Sequence, residues 1–279
     1  MIDFSDYLIV TDLDGTFLAR GGGGVPQRNL DAVARFTAGG GLFTTATGRL
    51  HMTVRGAIPQ AAALFNAPAI LANGAYLHDY RTNTHLCEEF LTPEQAVQVL
   101  AFIKKYAGDI PCRVSAPYTM RTATPYGPVA RDMQFYASDE LEIKPYQEWQ
   151  LDDWYKIVFR GEPHELAALR AHAEAFFGEE FGIFATGKTL LEIQPVASTK
   201  ASGVKKLRKL MGSDARTVIA CGDFENDIDM LRAADIAVAP ANALDSVKAV
   251  ADYVLCDCDE GLIADVVAGI EAGIFIKKA

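Results

Sequence analysis

The 279-residue sequence lacks any excess of basic residues: 26 Lys and Arg stand against 36 Asp and Glu, for a net charge of -10. A field of that sign repels nucleic acid and anionic membrane surfaces at long range, so neither is an expected partner. It would repel a phosphorylated small molecule as well, so any phosphate site must carry local positive charge from Lys, Arg or a metal ion. No apolar run approaches the roughly 18 residues that a membrane-spanning helix needs. The opening Met1 to Tyr7 is acidic and lacks the basic, apolar and small-residue order of a signal peptide. Cysteine is scarce and odd in number at five, and the close pair Cys256 and Cys258 is separated by one residue instead of two. Free thiols in a cytoplasmic protein, monomer or homodimer, are the expectation. Low-complexity tracts are missing too, and with half the residues hydrophobic and 22% charged the chain reads as a globular protein of two modest domains.

What is present is a rhythm of strand and helix at both ends of the chain. Tyr7 to Thr11 is short, β-branched and nearly all apolar, as a strand buried on both faces would be, and it runs into Asp-Leu-Asp-Gly. The glycines at 21 to 24 make a flexible loop, Pro26 opens a helix through about Ala38, and Gly39 to Gly41 end it before a strand at Leu42 to Ala46. A helix near 51 to 63 and a strand at Ala69 to Ala72 complete a third unit. The last third repeats the pattern, with helices from about Lys200, Asn226 and Gly261 and strands at Thr217 to Cys221, Ile236 to Ala239 and Tyr253 to Cys256. Such alternation predicts an α/β fold with a doubly wound, mostly parallel, Rossmann-like sheet.

Between about 80 and 190 the texture changes. Strand-like runs at 111–115, 155–160, 181–185 and 189–194 come in adjacent pairs, helices are expected at 93–106 and 163–177, and aromatics cluster. The predicted organisation is a catalytic core of 1–80 and 190–279 with an inserted α+β cap domain at 81–189.

Asp12 and Asp14 follow the first strand two residues apart, so at period two both carboxylates project to one side and Leu13 to the other. Two carboxylates that close do not both ionise without a cation beside them, and Mg2+ prefers such hard oxygen ligands. Gly15 permits the tight turn and Thr16 is placed to cap the segment that follows.

Asp12-Leu13-Asp14-Gly15-Thr16 after an apolar strand resembles the first motif of the haloacid dehalogenase superfamily, and three further motifs follow in the order that family requires. Thr47 and Gly48, in Leu42-Phe43-Thr44-Thr45-Ala46-Thr47-Gly48-Arg49, match the second, where a hydroxyl and backbone N-H groups at a helix start hold phosphate oxygens. Lys200, in Pro195-Val196-Ala197-Ser198-Thr199-Lys200, matches the third. Gly222-Asp223-Phe224-Glu225-Asn226-Asp227, after the strand Val218 to Cys221, matches the fourth. Acids set against an apolar strand end are costly unless they pair or bind a cation, which makes Asp223 the third metal ligand beside Asp12 and Asp14. The resemblance implies Asp12 as nucleophile, Asp14 as general acid and base, Asn226 on phosphate or a metal water, and Asp227 orienting Lys200 or a water.

An insert between the second and third motifs, with Leu71-Ala72-Asn73-Gly74-Ala75 and Leu191-Glu192-Ile193-Gln194-Pro195, resembles the Cof-type sugar-phosphatase branch. The resemblance implies a Mg2+-dependent phosphatase acting through an aspartyl-phosphate on a small phosphorylated substrate, preferably a sugar phosphate. Arg113, Arg121, Lys156 and Tyr118 are the candidate substrate contacts of the cap. A phosphomutase of the same superfamily and a phospho-accepting receiver are the rival readings. A third rival is a nucleotide-binding loop, because Gly182 to Thr189 matches the P-loop pattern; the strand-like alternation of Leu190 to Gln194, halted at Pro195, argues instead for a hairpin turn at Gly187-Lys188.

Overall fold

The computed structural model describes residues 2–213 and 216–275, so the outer limits of the expected core, 1 and 279, lie outside it. The chain divides into two units, one drawn from Met1–Arg49, Ala57–Cys87 and Thr199–Ala279, the other from Leu50–Gly56 and Glu88–Ser198. In chain order the strands are β1 (Tyr7–Thr11), β2 (Leu42–Thr45), β3 (Ala69–Leu71), β4 (Tyr76–Asp79), β5 (Thr84–Leu86), β6 (Cys112–Ala116), β7 (Thr119–Thr122), β8 (Leu141–Ile143), β9 (Lys156–Arg160), β10 (Phe181–Gly187), β11 (Leu190–Pro195), β12 (Thr217–Cys221), β13 (Ile236–Pro240) and β14 (Tyr253–Leu255).

The first unit is built on a parallel sheet in the order β14-β13-β12-β1-β2. Every residue of β12 and β13 is buried, which is why these runs are continuously apolar and do not alternate. Leu8, Val10, Val218, Ala220 and Ala237 form one core with Val204 and Leu207 of the helix Lys200–Met211 and Met230 and Leu231 of the helix Ile228–Ala233. Burying each large side chain of this set stabilises the fold by roughly 1.5–3 kcal/mol. The helices Gln27–Ala38 and Leu262–Glu271 pack against one another. From β1 the chain moves to β2 on one side and later through β12, β13 and β14 on the other. The winding direction therefore reverses at β1, and open α/β sheets bind ligands at the carboxyl ends of strands beside such a reversal.

Three elements differ from expectation. The run at 69–72 joins the parallel sheet only through an isolated bridge between Ala46 and Ile70, and β3 pairs instead with β4 in an antiparallel sheet β3-β4-β5. The helix near 51–63 is split into His51–Ala57 and Ala61–Leu64, because Pro59 lacks an N-H and disfavours helical backbone at Ile58. The glycine loop at 21–24 is tied at its base: Ala19 N-H donates to Gly24 O at 2.8 Å, and the Arg20 guanidinium binds Asp257 and Asp259.

The second unit carries the sheet β10-β11-β9-β6-β7-β8, antiparallel except between β7 and β8. Phe102 of the helix Pro93–Phe102 and Phe177 of the helix Pro163–Phe177 bury one face with Trp154, Ile157, Phe159 and Leu191. Strands β7 and β8 have no counterpart in the sequence reading, since Thr-Met-Arg-Thr and Leu-Glu-Ile are too short to display a period. Gly187 pairs with Leu190 across the antiparallel β10-β11 hairpin, so Lys188 and Thr189 form its turn and no helix opens there to present N-H groups to a nucleotide. No helix among the described residues is long and apolar enough to cross a membrane.

Candidate active site

Asp12 is the first residue beyond β1, and its N-H donates to Cys221 O of β12 at 2.8 Å, which fixes its backbone to the neighbouring strand end. Leu13 is fully buried and Asp12 nearly so, whereas the Asp14 side chain beyond them is largely exposed. Gly15 has φ +81°, and a Cβ there would sit 2.5 Å from Asp223 Oδ2. Only glycine allows this approach of the β1 and β12 loops. The Thr16 hydroxyl donates to Asp223 Oδ1 at 2.8 Å instead of capping its own segment, because the β12 loop brings that carboxyl oxygen within reach.

Lys200 opens the helix Lys200–Met211 behind its N-cap, Thr199, whose hydroxyl accepts from Ser202 N-H. Its side chain is only 1% exposed, and Nζ lies 2.6 Å from Asp12 Oδ1 and 2.6 Å from Asp227 Oδ1. Asp227 is fully buried, and its Oδ2 accepts from the N-H groups of Asp223 and Phe224 at 3.0 Å each. Asp227 is therefore committed to holding Lys200 and the turn after β12.

Carboxylate oxygens of Asp12, Asp223 and Asp227 lie within 4.8 Å of one another. Burial drives the Asp12 carboxyl well above the usual range; Lys200 opposes this, and Asp227, Asp223 and Asp14 add to it. Burial, then Asp227, pushes Asp223 up to about 7 against the pull of Thr16 and Lys200. Lys200 is itself raised: burial lowers it, but Asp12 and Asp227 outweigh burial. Three carboxylates around one ammonium leave two negative charges uncompensated, and the donors are hard oxygens, so the residues fit a divalent cation of the Mg2+ kind.

Asp14 lies outside this cluster of three. Its side chain is 58% exposed, and both carboxylate oxygens are held by Arg49, at 2.7 Å from Nε and 2.5 Å from Nη2. Thr47 is buried, donates its N-H to Ile70 O at 2.9 Å, and accepts at Oγ1 from Arg49 N-H at 3.2 Å; Gly48 is half-buried beside it. Asn226 donates through Nδ2 to Asn73 Oδ1 at 3.1 Å. The residues Ala72, Asn73 and Gly74 all have positive φ, and for the two non-glycine positions this costs on the order of 1–3 kcal/mol each.

A family model described as haloacid dehalogenase-like hydrolase matches residues 9–267. The chain belongs to that family. Over 260 residues this haloacid dehalogenase-like hydrolase is 29% identical to the pyridoxal phosphate phosphatase YbhA of Escherichia coli, covering 90% of this chain and 93% of that one. It is 24% identical to the 5-amino-6-(5-phospho-D-ribitylamino)uracil phosphatase YwtE of Bacillus subtilis, covering 92% and 95%. A HAD/COF-like hydrolase of Plasmodium vivax has the same fold with a TM-score of 0.84 at 22% identity, over 96% of each chain. The haloacid dehalogenase resemblance of the four motifs is thus borne out at the level of the family, and both relatives are named as phosphatases.

In the second unit of this hydrolase the candidate cap cations are each engaged by an acid of the same unit. Arg113 donates from Nε to Asp132 Oδ2 at 2.6 Å, Arg121 is bidentate to Asp153 at 2.5 and 2.7 Å and also binds Glu142, and Lys156 Nζ is 2.6 Å from Glu192 Oε2. Tyr118 is 63% exposed and meets the His51 ring edge-on at 5.6 Å. Sequence reasoning passed over Arg49, Asn73 and the hydroxyl of Thr16 as site residues. Arg49 directly follows the Thr47-Gly48 pair, and Asn73-Gly74 is a pair that favours left-handed backbone, so both carried a local signal. Thr16 carried none that separated a cap from a long-range bond.

Proposed function

We propose that this chain hydrolyses a small phosphorylated metabolite, with a sugar phosphate as the preferred class, by Mg2+-dependent transfer of the phosphoryl group onto Asp12. The observation that carries this is the Lys200 ammonium fixed between Asp12 and Asp227. It holds Oδ1 of Asp12 and so fixes the orientation of the carboxylate proposed to attack phosphorus. In the first step Asp12 attacks in line, the bond from phosphorus to the ester oxygen breaks, and Asp14 gives its proton to the departing alkoxide. In the second, Asp14 takes a proton from water, whose oxygen attacks the acyl phosphate, releasing inorganic phosphate and restoring Asp12.

Lys200, Thr47, the Gly48 N-H and Asn226 neutralise or bind the phosphoryl oxygens, the electrostatic contribution expected to be largest. Asp12 and Asp223 would hold Mg2+, with Asp227 behind them; Asp14, expected from the sequence as a third ligand, is paired with Arg49 outside that cluster. When bound, the ion supplies positive charge to the phosphoryl oxygens. The relatives that act on pyridoxal phosphate and on a phosphoribityl compound support a small phosphorylated substrate. The division into a core of 1–80 and 190–279 and a specificity insert of 81–189 belongs to the same proposal.

The test is phosphate release from p-nitrophenyl phosphate and a panel of sugar phosphates, nucleotides and phosphorylated cofactors, with and without Mg2+. Release that requires Mg2+, and that falls by at least about 10³-fold in Asp12→Asn, is expected. An Asp12→Asn preparation free of contaminating phosphatase that keeps wild-type turnover removes Asp12 as nucleophile. No release from any member of the panel removes the reading altogether.

A further inference from the structure

The turn Ala72-Asn73-Gly74 touches three of the segments that supply the phosphoryl site. Asn73 N-H donates to Thr47 O at 2.9 Å, and Ala72 N-H donates to Arg49 O at 3.0 Å. The Asn73 side chain accepts from Asn226 Nδ2 at 3.1 Å. On its far side the turn meets the helix that begins at Lys200: a Cβ on Gly74 would lie 2.1 Å from Thr199 O, and Lys206 Nζ donates to Gly74 O at 3.3 Å. The turn is buried, with Asn73 2% exposed, and it holds φ +48° at Ala72, +55° at Asn73 and +96° at Gly74. Two successive non-glycine residues in left-handed backbone persist only where the surroundings over-determine them, and such strain gathers at sites where geometry is put to use.

We infer that Asn73 is a positioning residue of the phosphoryl site, which registers the Thr47 segment against the Asn226 amide and fixes that amide toward the phosphate. The inference rests on the proposed phosphatase reading and adds a residue to it. Asn73 needs no contact with substrate. Its backbone N-H sets the height of the Thr47 carbonyl, and its Oδ1 orients the Asn226 amide by taking one of its two N-H bonds. An asparagine suits both tasks, because it tolerates left-handed backbone and presents an acceptor two bonds from its Cα.

Asn73→Gly tolerates the left-handed backbone and removes the side chain that accepts from Asn226, and Asn226→Ala removes its partner. The two single variants and the double variant are to be compared in kcat and KM for phosphate release, in thermal unfolding, and in the Kd for inorganic phosphate with Mg2+ by titration calorimetry. Asn73→Gly is expected to lower kcat/KM and weaken phosphate binding by about tenfold or more, as losses of supporting partners do at ligand sites. The unfolding midpoint should fall by several degrees with the loss of a buried, hydrogen-bonded side chain, so kinetics and titrations are run well below it. The double variant should be no worse than Asn226→Ala alone, since a residue acting through another adds nothing once that other is gone.

Wild-type constants in Asn73→Gly, or effects that multiply in the double variant, overturn the inference. If the wild type turns over no substrate, the phosphatase reading fails, while the phosphate-binding cycle still decides the coupling of Asn73 to Asn226. A wild type that neither turns over nor binds phosphate ends both.

Discussion

Both carboxylate oxygens of Asp14 are held by a single guanidinium, that of Arg49, at 2.7 and 2.5 Å. The pair is partly open to solvent, at 24% exposure for Arg49 and 58% for Asp14, so its contribution to stability is about 0–1 kcal/mol. Arg49→Ala should therefore move the unfolding midpoint by only a few degrees. Turnover should fall about tenfold or more, because the carboxylate proposed as acid and base loses its fixed orientation and the phosphoryl group a nearby positive charge. Steady-state kinetics beside calorimetric melting measures both, and added guanidinium ion should restore part of the lost rate.

The charge imbalance at Asp12, Asp223 and Asp227 gives a pH signature. Asp223 is pushed up to about 7 by burial and then by Asp227, from an ordinary value of 3.8. A carboxyl raised on folding favours the native state while protonated, so without metal its contribution is full below about pH 3.8 and is lost as pH rises through about 7. A divalent cation reverses that loss by replacing the proton. Melting scans with Mg2+ and with a chelator should show a metal-induced gain that is small near pH 5 and grows through pH 7. Asp223→Asn should flatten the pH dependence and weaken Mg2+ binding.

Asp132 in the second unit has the opposite sign. Burial alone would raise it, but Arg113 and then Arg160 outweigh burial and hold it below its usual value of 3.8. Its stabilising contribution is present above about pH 3.8 and disappears as pH falls through the lowered value. Asp132→Ala leaves two largely buried guanidiniums without their acid and should cost about 3 kcal/mol at pH 7 in denaturant titrations. That difference should shrink in acid.

Gly74→Ala should be among the most damaging single-methyl additions in the chain. The position holds φ +96°, and the new Cβ would press on Thr199 O, the backbone of the residue that caps the Lys200 helix. A loss of at least about 1–3 kcal/mol is expected from overpacking, with added backbone strain. Activity should fall with it, since the Lys200 helix must shift to relieve the contact. Unfolding and turnover measured on the same preparation check the linkage.

The sequence by itself determined the elements of the parallel sheet and the placing of the four chemistry-bearing phrases at its strand ends and helix starts. These depend on local facts: a continuous apolar run for a strand buried on both faces, and glycine or proline where a helix stops or is barred. Tertiary structure alone decided the partners. Asp12 and Lys200 stand 188 positions apart and Thr16 and Asp223 stand 207 apart, so no local preference links them. Asp14 meets Arg49, and Arg113, Arg121 and Lys156 each meet an acid of their own unit, for the same reason. Which charges pair depends on which groups the fold withdraws from water together, and that becomes defined only when distant segments pack.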